Sequence, residues 1–486
     1  MSKKTVVLLL AAIITLAAFF RFYQLDTLPP GLYPDVAMNG NNAIEAWETG
    51  NFKVFYPENG GREGLFINLQ ALFIAVFGKT VLALKIPAAI IGILTVLGTY
   101  FLARSLFNAP IGLLSSFFLA VSFWHVHFSR IGFRAIVAPL ILVWMLYFLW
   151  QALNHGKYRD FIIAGGLMGL GMYTYISFRI IPLAVAAVII LYLYFLKKNT
   201  EIIPGRRNIL KGSFLFGIAV AIACLPLLYY FYLHPGDFSD RASQVSIFSS
   251  SNMVAQFIVN WILTLGMFNI IGDLNWRHNI SGAPLLVWPV GIFFIIGFFK
   301  NIGSLVTGRF LRDKSTLGQA VLLAVFLISL LPVTLSNEGL PHALRSLMVA
   351  PLVMIMAAAG FWWLFKKIPE TPKIATPLAL SLLVIIAGME YSRYFIQWAR
   401  DPSIAESFTQ QYVDAANQIN QLPLGKDICV VIYANGALIN NIPMPAQTVM
   451  YLTDTYSQEK QQAKHISYVI EEVNQCDKDS TIIPLY

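Results

Sequence analysis

Asp35 stands in a polar stretch, LPPGLYPDVAMNGNNAIEAWETGNFKVFYPENGGREG, that runs from residue 28 to 64 between two apolar segments. It follows Pro34, and Pro29, Pro30 and Gly31 precede it. Proline fixes the backbone just before the carboxylate, which suits a general base that must be held in one place. The plainer reading is an aspartate that caps the helix MNGNNAIEAWETG. Arg62 and Glu63 close the stretch after Gly60 and Gly61. Glycines let the chain turn sharply and approach a ligand closely. A guanidinium there holds a lipid phosphate through two hydrogen bonds, or anchors to bulk headgroups. Glu63 is placed to pair with Arg62.

Three further constellations carry chemistry. His125-Val-His127-Phe-Ser-Arg130-Ile-Gly-Phe-Arg134 ends an apolar run. Two arginines near a membrane suggest an anionic partner, or simple snorkelling, and they share a face if the turn is helical. Gly272-Asp273-Leu-Asn-Trp276-Arg277-His278-Asn279 is dense in polar and aromatic groups. There His278 is open to the roles of base, metal ligand, phosphate donor or structural hydrogen-bonder. Ser336-Asn-Glu338-Gly-Leu-Pro341-His342-Ala-Leu-Arg345 enters a late apolar run. No ligand pair has diagnostic metal spacing such as HExxH, so no cofactor is assigned and a divalent metal stays open. Basic groups at Arg62, Arg130, Arg134, Arg277 and Arg345, with a carboxylate at Asp35, suit a reaction at a lipid-linked phosphate. Arginines would stabilise the phosphate leaving group while the carboxylate takes a proton from the attacking hydroxyl.

The elements that position these residues are those of a membrane protein. The 486 residues are 57% hydrophobic and only 12% charged, with mean hydropathy +0.65. Soluble domains carry about 25% charged residues. The net charge of +9 falls in short clusters between apolar runs, which speaks against nucleic acid as a partner. A span needs about 20 apolar residues. Eleven are expected, near 5–22, 81–103, 110–127, 135–153, 161–176, 180–196, 213–233, 284–299, 317–335, 343–365 and 374–392. The segments 65–77 and 254–271 are shorter or interrupted by Asn and Gln, and read as helices at the outer interface. With the N-terminus cytoplasmic, the inner segments carry 17 Lys and Arg against ten in the outer loops between the spans, although the outer loops are longer. Asp35, Glu63, Asp273, His278, Asn279, Glu338, His342 and the five arginines Arg62, Arg130, Arg134, Arg277 and Arg345 then fall on the outer side. The expected division is a membrane domain at 1–392, with its first outer loop at 23–80, and a small α/β domain outside the membrane at 393–486. In the latter, 403–421 reads as helix, and ICVVIY, ISYVI and STIIPLY read as strands. The N-terminal Lys3-Lys4 and apolar run read as an uncleaved span. A Cys429–Cys476 disulfide is allowed outside the cytoplasm.

These residues resemble the GT-C membrane glycosyltransferases of family 39, the relatives of dolichyl-phosphate-mannose protein mannosyltransferases and of the aminoarabinose transferase acting on lipid A. The resemblance rests on Pro34-Asp35-Val36-Ala37, Arg62-Glu63-Gly64-Leu65-Phe66, Val76-Phe77-Gly78 and LALKIPAAIIGILTVLGTYFLARSLF at 82–107, and covers about residues 5–395. SFWHVHFSRIGFRA, GDLNWRHN and LPHALR look like a prokaryotic subgroup. The resemblance implies an all-α polytopic GT-C fold. Asp35 matches the catalytic aspartate, Arg62 the residue that contacts the donor phosphate, and Arg130 the arginine of the second outer loop. The family's Asp-Glu pair is Asp35-Val36 here, and its second acidic position holds Arg134-Ala135.

The expectation is an inverting glycosyltransferase of the cell membrane. It would move a sugar from a polyprenyl-phosphate donor to a protein, lipid or glycan acceptor on the outer face. A non-catalytic binding or assembly protein and a lipid-linked sugar transporter are the rivals.

Overall fold

Local signals start and stop the helices where the sequence places them. Ser2 caps Lys3–Phe22 by accepting from the Thr5 amide, and Asn108 caps Ala109–Val121 by accepting from the Ile111 amide. A capping box of Asp313 and Thr316 opens Lys314–Thr334. Left-handed Gly50 and Gly156 end Pro34–Thr49 and Val137–His155. The computed structural model describes residues 1–199, 206–238, 246–249, 252–337, 339–368, 372–423 and 425–486. Glu338 lies outside the described residues.

Among the described residues, nine helices are long and apolar enough to cross a membrane. They are Lys3–Phe22, Val81–Leu106, Arg134–His155, Ile176–Lys198, Arg207–Leu233, Trp288–Val306, Lys314–Thr334, Leu347–Phe365 and Ala375–Trp398. The other two expected spans are also helical but shorter. Tyr158–Gly171 has 14 residues, or about 21 Å at the helical rise, against a hydrocarbon core of about 30 Å. The run expected at 110–127 is broken at Ser122, whose extended backbone (ψ 122°) separates Ala109–Val121 from Phe123–Phe128. The break frees the Phe123 amide, which donates to the Glu390 carboxylate at 3.0 Å. The two interface segments are the helices Gly64–Phe77 and Met253–Gly266.

The chain packs as two units. The first comprises Met1–Tyr23, Ala89–Ser129 and Arg134–Gln397. Its helices approach closely where side chains are absent. A Cβ on Gly297 would fall 1.9 Å from the Met356 carbonyl oxygen, and one on Gly360 would fall 2.1 Å from that of Phe293. Small residues allow this contact where lipid gives apolar side chains no reason to cluster.

The second unit comprises Gln24–Ala88, Arg130–Phe133 and Trp398–Tyr486. The expected division placed the first loop with the membrane helices, whereas the packing groups it with the C-terminal segment. Inside this unit three parallel strands lie in the order Ile466–Ile470, Ile428–Ile432, Thr481–Leu485, with Ile428 opposite both Ile466 and Thr481. The central strand is buried at every position, the pattern of a parallel sheet covered on both faces. Helices Ser403–Ser407 and Gln410–Gln421 precede it, as expected for 403–421. Cys429 and Cys476 are joined in a disulfide across a sequence separation of 47. Closing a loop of that length stabilises the fold by about 4 kcal/mol on the chain-entropy account.

The loop helix Pro34–Thr49 is bound to the C-terminal segment by matched polar groups. Asn41 donates to the Gln447 carbonyl and side chain at 3.1 and 3.0 Å. Thr448 donates to the Leu32 carbonyl at 2.8 Å, and the Tyr451 hydroxyl to that of Thr80 at 2.9 Å. Tyr451 joins Leu32, Val36, Ala37, Ile67, Ala71 and Leu84 in one apolar core. On the surface, Glu48, Lys79, Asp454 and Lys460 form an ion-pair network with separations of 2.7–2.9 Å.

Candidate functional site

Asp35 lies in the first turn of Pro34–Thr49, with Pro34 at the helix start and Tyr33 as the cap residue. It does not cap the helix: no side-chain cap bond is made there. Its half-buried carboxylate accepts from the Asn59 side chain at 3.0 Å. The helix N-terminus favours a negative charge in this place. Gly31 (φ 72°) sets the approach. A Cβ there would fall 2.2 Å from the Phe408 carbonyl oxygen, so the loop is pressed against the C-terminal segment just before Asp35.

Arg62 and Glu63 form a short strand paired with Phe55–Tyr56 rather than the start of the interface helix, and Glu63 becomes the cap residue of Gly64–Phe77. Both are buried. The Arg62 guanidinium donates to the Asn39 side chain at 2.7 Å, to that of Asn42 at 2.6 Å and to the Glu58 carboxylate at 3.2 Å. Arg62 therefore braces the hairpin against the Asp35 helix. Tyr56, across the strand pair, donates to Asn68 at 2.9 Å, and burial pushes its phenol up to about 12.

Arg130 and Arg134 do not share a helical face. The Phe123–Phe128 helix stops before them, and Gly132 (φ 73°) turns the chain between them. Arg130 is fully buried and donates to the carbonyls of Gln24 and Leu28 at 3.1 and 3.2 Å. Buried Lys85 donates to the carbonyls of Leu25 and Pro29 at 3.3 and 2.9 Å. Two basic side chains thus grip the turn that leads to Asp35. Arg134 is half-buried over the Tyr175 ring at 5.4 Å.

In the first unit, the stretch from Gly272 and the stretch ending at Arg345 come together. The Asp273 carboxylate accepts from His278 Nδ1 at 2.9 Å and from the Ala343 amide at 2.8 Å, and lies 3.7 Å from His342 Nδ1. Its other oxygen accepts from the Asn275 amide at 2.8 Å. The two imidazoles stack with centroids 5.0 Å apart. Burial works against the Asp273 charge, but the His278 bond and charge outweigh it and hold the carboxyl below its usual value. Burial, with the charges of His278, Arg345 and Arg277, takes His342 down to about 3. Asn279 is buried and donates to the Ala283 carbonyl at 2.5 Å, which closes the turn. The Arg277 carbonyl accepts from His127 Nε2 at 2.5 Å, and the half-buried Arg345 side chain donates to Ser336.

With this geometry in hand, the chain can be set beside known proteins. Residues 65–230 match the family described as dolichyl-phosphate-mannose-protein mannosyltransferase. The structure is similar to the oligosaccharyltransferase of Archaeoglobus fulgidus in its apo form, with TM-score 0.56 and 15% identity over 98% of this chain and 65% of that one. It is also similar to ArnT from Cupriavidus metallidurans bound to undecaprenyl phosphate, with TM-score 0.55 and 13% identity over 95% of this chain and 88% of that one. The chain has the GT-C fold. It spans less than two thirds of the length of the oligosaccharyltransferase. No curated protein is significantly similar to it in sequence.

Val36 stands where the resemblance would place a glutamate, and there is a structural reason for it. Val36 is buried in the core beside Gly132, where a Cβ would meet its Cγ1 at 3.2 Å. A carboxylate there would lose its hydration, so an apolar side chain fits the place. Asn39, Asn42 and Glu58 hold Arg62, and Asn59 holds Asp35, contacts that the sequence does not show. The spacing of Asn39 and Asn42, three apart on one helix, was the signal that could have revealed them.

Proposed function

We propose that this multi-pass membrane protein transfers a sugar from a polyprenyl-phosphate donor to an acceptor on the outer face of the membrane, with Asp35 as general base. The observation that carries the proposal is the Asp35 carboxylate itself. It is half-buried at a helix N-terminus and held by Asn59, in a chain with the GT-C fold. ArnT from Cupriavidus metallidurans, similar in fold, binds undecaprenyl phosphate, which supports a lipid-linked donor. A single displacement needs one base and no enzyme nucleophile, so the anomeric centre inverts. The phosphate leaves without a general acid, unlike the aglycone in glycosidases, where two carboxyl groups share the work.

The arginines divide by burial. Arg134, Arg277 and Arg345 are half-buried and are the proposed contacts of the donor phosphate. Arg62 and Arg130 are fully buried on protein acceptors and act as positioning residues for the Asp35 loop. The Lys and Arg bias of the loops supports a cytoplasmic N-terminus. The Cys429–Cys476 disulfide supports a C-terminal segment outside the cytoplasm, in an oxidising compartment of the cell envelope.

Sugar transfer in proteoliposomes, with a panel of polyprenyl-phosphate sugars, tests the proposal. Asp35→Asn should lower turnover by about 10²–10⁴-fold, the usual contribution of a general base, while donor binding persists. Full turnover in the variant would remove Asp35 from the reaction. Donor binding without transfer by the wild type, with any acceptor supplied, would favour a binding protein.

A further inference from the structure

Asp273, His278 and His342 place three donor atoms within 4.8 Å of one another. We propose that they bind one divalent transition-metal ion of the zinc class. The donor set is one carboxylate oxygen and two imidazole nitrogens, which suits zinc and not the all-oxygen shells of calcium or magnesium. Zinc bonds to such atoms are about 2.0–2.2 Å long, so tetrahedral neighbours sit about 3.3–3.5 Å apart. Here the Asp273 oxygen lies 2.9 Å from His278 Nδ1 and 3.7 Å from His342 Nδ1, which brackets that spacing. The remaining pair, between the two imidazoles, lies within 4.8 Å, and the rings draw together on the ion to complete the shell.

The surroundings are built to hold the ligands still. The two carboxylate oxygens of Asp273 accept from the backbone amides of Asn275 and Ala343, which fixes its rotamer. Outer partners of this kind orient metal ligands and raise affinity. Asp273 and His278 are nearly fully buried, and the stacked imidazoles limit each other's rotation. In the metal-bound form the Nδ1 lone pairs of both rings face the ion, so each neutral ring carries its proton on Nε2. The hydrogen bond between His278 Nδ1 and Asp273, and the long one that His342 Nδ1 accepts from the Arg345 amide at 3.5 Å, give way to metal bonds. Three protein ligands leave a fourth position for water or for a ligand oxygen.

The ion would staple two segments that are distant in sequence. One carries Arg277 and the other carries Arg345. Metal binding therefore sets the separation of two guanidinium groups, a consequence that rests on the phosphate reading above. The binding itself does not.

The test uses the full-length protein in detergent, stripped with chelator and titrated with Co²⁺ and then with Zn²⁺. One equivalent of Co²⁺ with the strong visible absorption of a tetrahedral nitrogen–oxygen shell is expected, displaced by Zn²⁺. X-ray absorption at the zinc edge should show nitrogen and oxygen neighbours at about 2.0–2.1 Å. His342→Gln and Asp273→Asn, both checked for folding by size-exclusion elution and circular dichroism, should each weaken binding by more than about 100-fold, since even outer partners are worth 10–100-fold. Absence of a tight equivalent in the wild type would overturn the site. So would an all-oxygen shell, or equal binding by a folded variant. Should a variant not fold, the wild-type absorption and edge spectra decide alone. Sugar transfer is not read, so failure here leaves the proposed reaction standing, and failure of that reaction leaves the metal site standing.

Discussion

Burial and bonding bear directly on the role of Arg62. An arginine beside two glycines at a membrane surface looks like a phosphate hook, yet its guanidinium is 1% exposed and donates to Asn39, Asn42 and Glu58. Charge-assisted bonds of this kind contribute about 1.5–3 kcal/mol each, and the amides left behind would be unsatisfied. Arg62→Ala should therefore destabilise the protein by about 3 kcal/mol or more. A fall in melting temperature in detergent, measured beside donor binding at low temperature, checks this. Arg277→Ala should do the opposite and weaken binding of polyprenyl phosphate with little change in melting temperature. If Arg62→Ala melts like the wild type and loses the donor, Arg62 is a phosphate ligand after all. Arg62→Lys should not rescue stability, because a single ammonium cannot span three separate acceptors in the guanidinium's fork.

At the scale of elements, the loop helix Pro34–Thr49 and the helices Ala446–Thr453 and Gln458–Ala463 are fastened by the network of Glu48, Lys79, Asp454 and Lys460. For both carboxyls burial acts to raise the pKa, and the bonds and charges of Lys79 and Lys460 outweigh it, so both lie below their ordinary values of 4.5 and 3.8. The Lys79 ammonium is raised above 10.5, its ion pairs outweighing burial. A depressed carboxyl stabilises the fold above its unfolded pKa and loses that contribution as pH falls through the folded value. A raised ammonium stabilises below its unfolded pKa and loses it as pH rises past the folded value. The network should thus contribute from about pH 5 to about pH 10 and fade below about pH 4. Thermal melts of wild type and the double variant Lys79→Met, Lys460→Met should differ at pH 7 and converge toward pH 3. These side chains are partly exposed, so the difference should also shrink in high salt. A difference that survives at pH 3 would place the stabilisation in the lysine stems rather than in their charges.

For the whole molecule, the positive-inside bias predicts one orientation for every loop. Lys157 and Glu459 are both exposed. In intact cells a membrane-impermeant maleimide should label Glu459→Cys and leave Lys157→Cys untouched until the cells are opened. The reverse pattern would invert the topology and place Asp35 on the cytoplasmic side. The native cysteines give little background, since Cys224 is buried and the other two are bonded to each other.

Hydropathy and the strand-forming runs by themselves determined the helical membrane architecture, the two shorter apolar helices and the three C-terminal strands. These are local signals, and each depends on residues within a few turns of one another. The interruption at Ser122 and the short Tyr158–Gly171 helix were not legible, because apolar composition continues through both. Asp35 was legible as a held carboxylate, since Pro34 and Gly31 stand beside it in the chain. Only the tertiary structure decided that Arg62 is buried against Asn39, Asn42 and Glu58, that Val36 fills a core, and that the first loop packs with the C-terminal segment. It alone brought Asp273 and His278 to His342. Each of these depends on groups from separate stretches meeting in space. Burial and exchanged hydrogen bonds, which set what a side chain can do, belong to that meeting and not to the residue's neighbours in sequence.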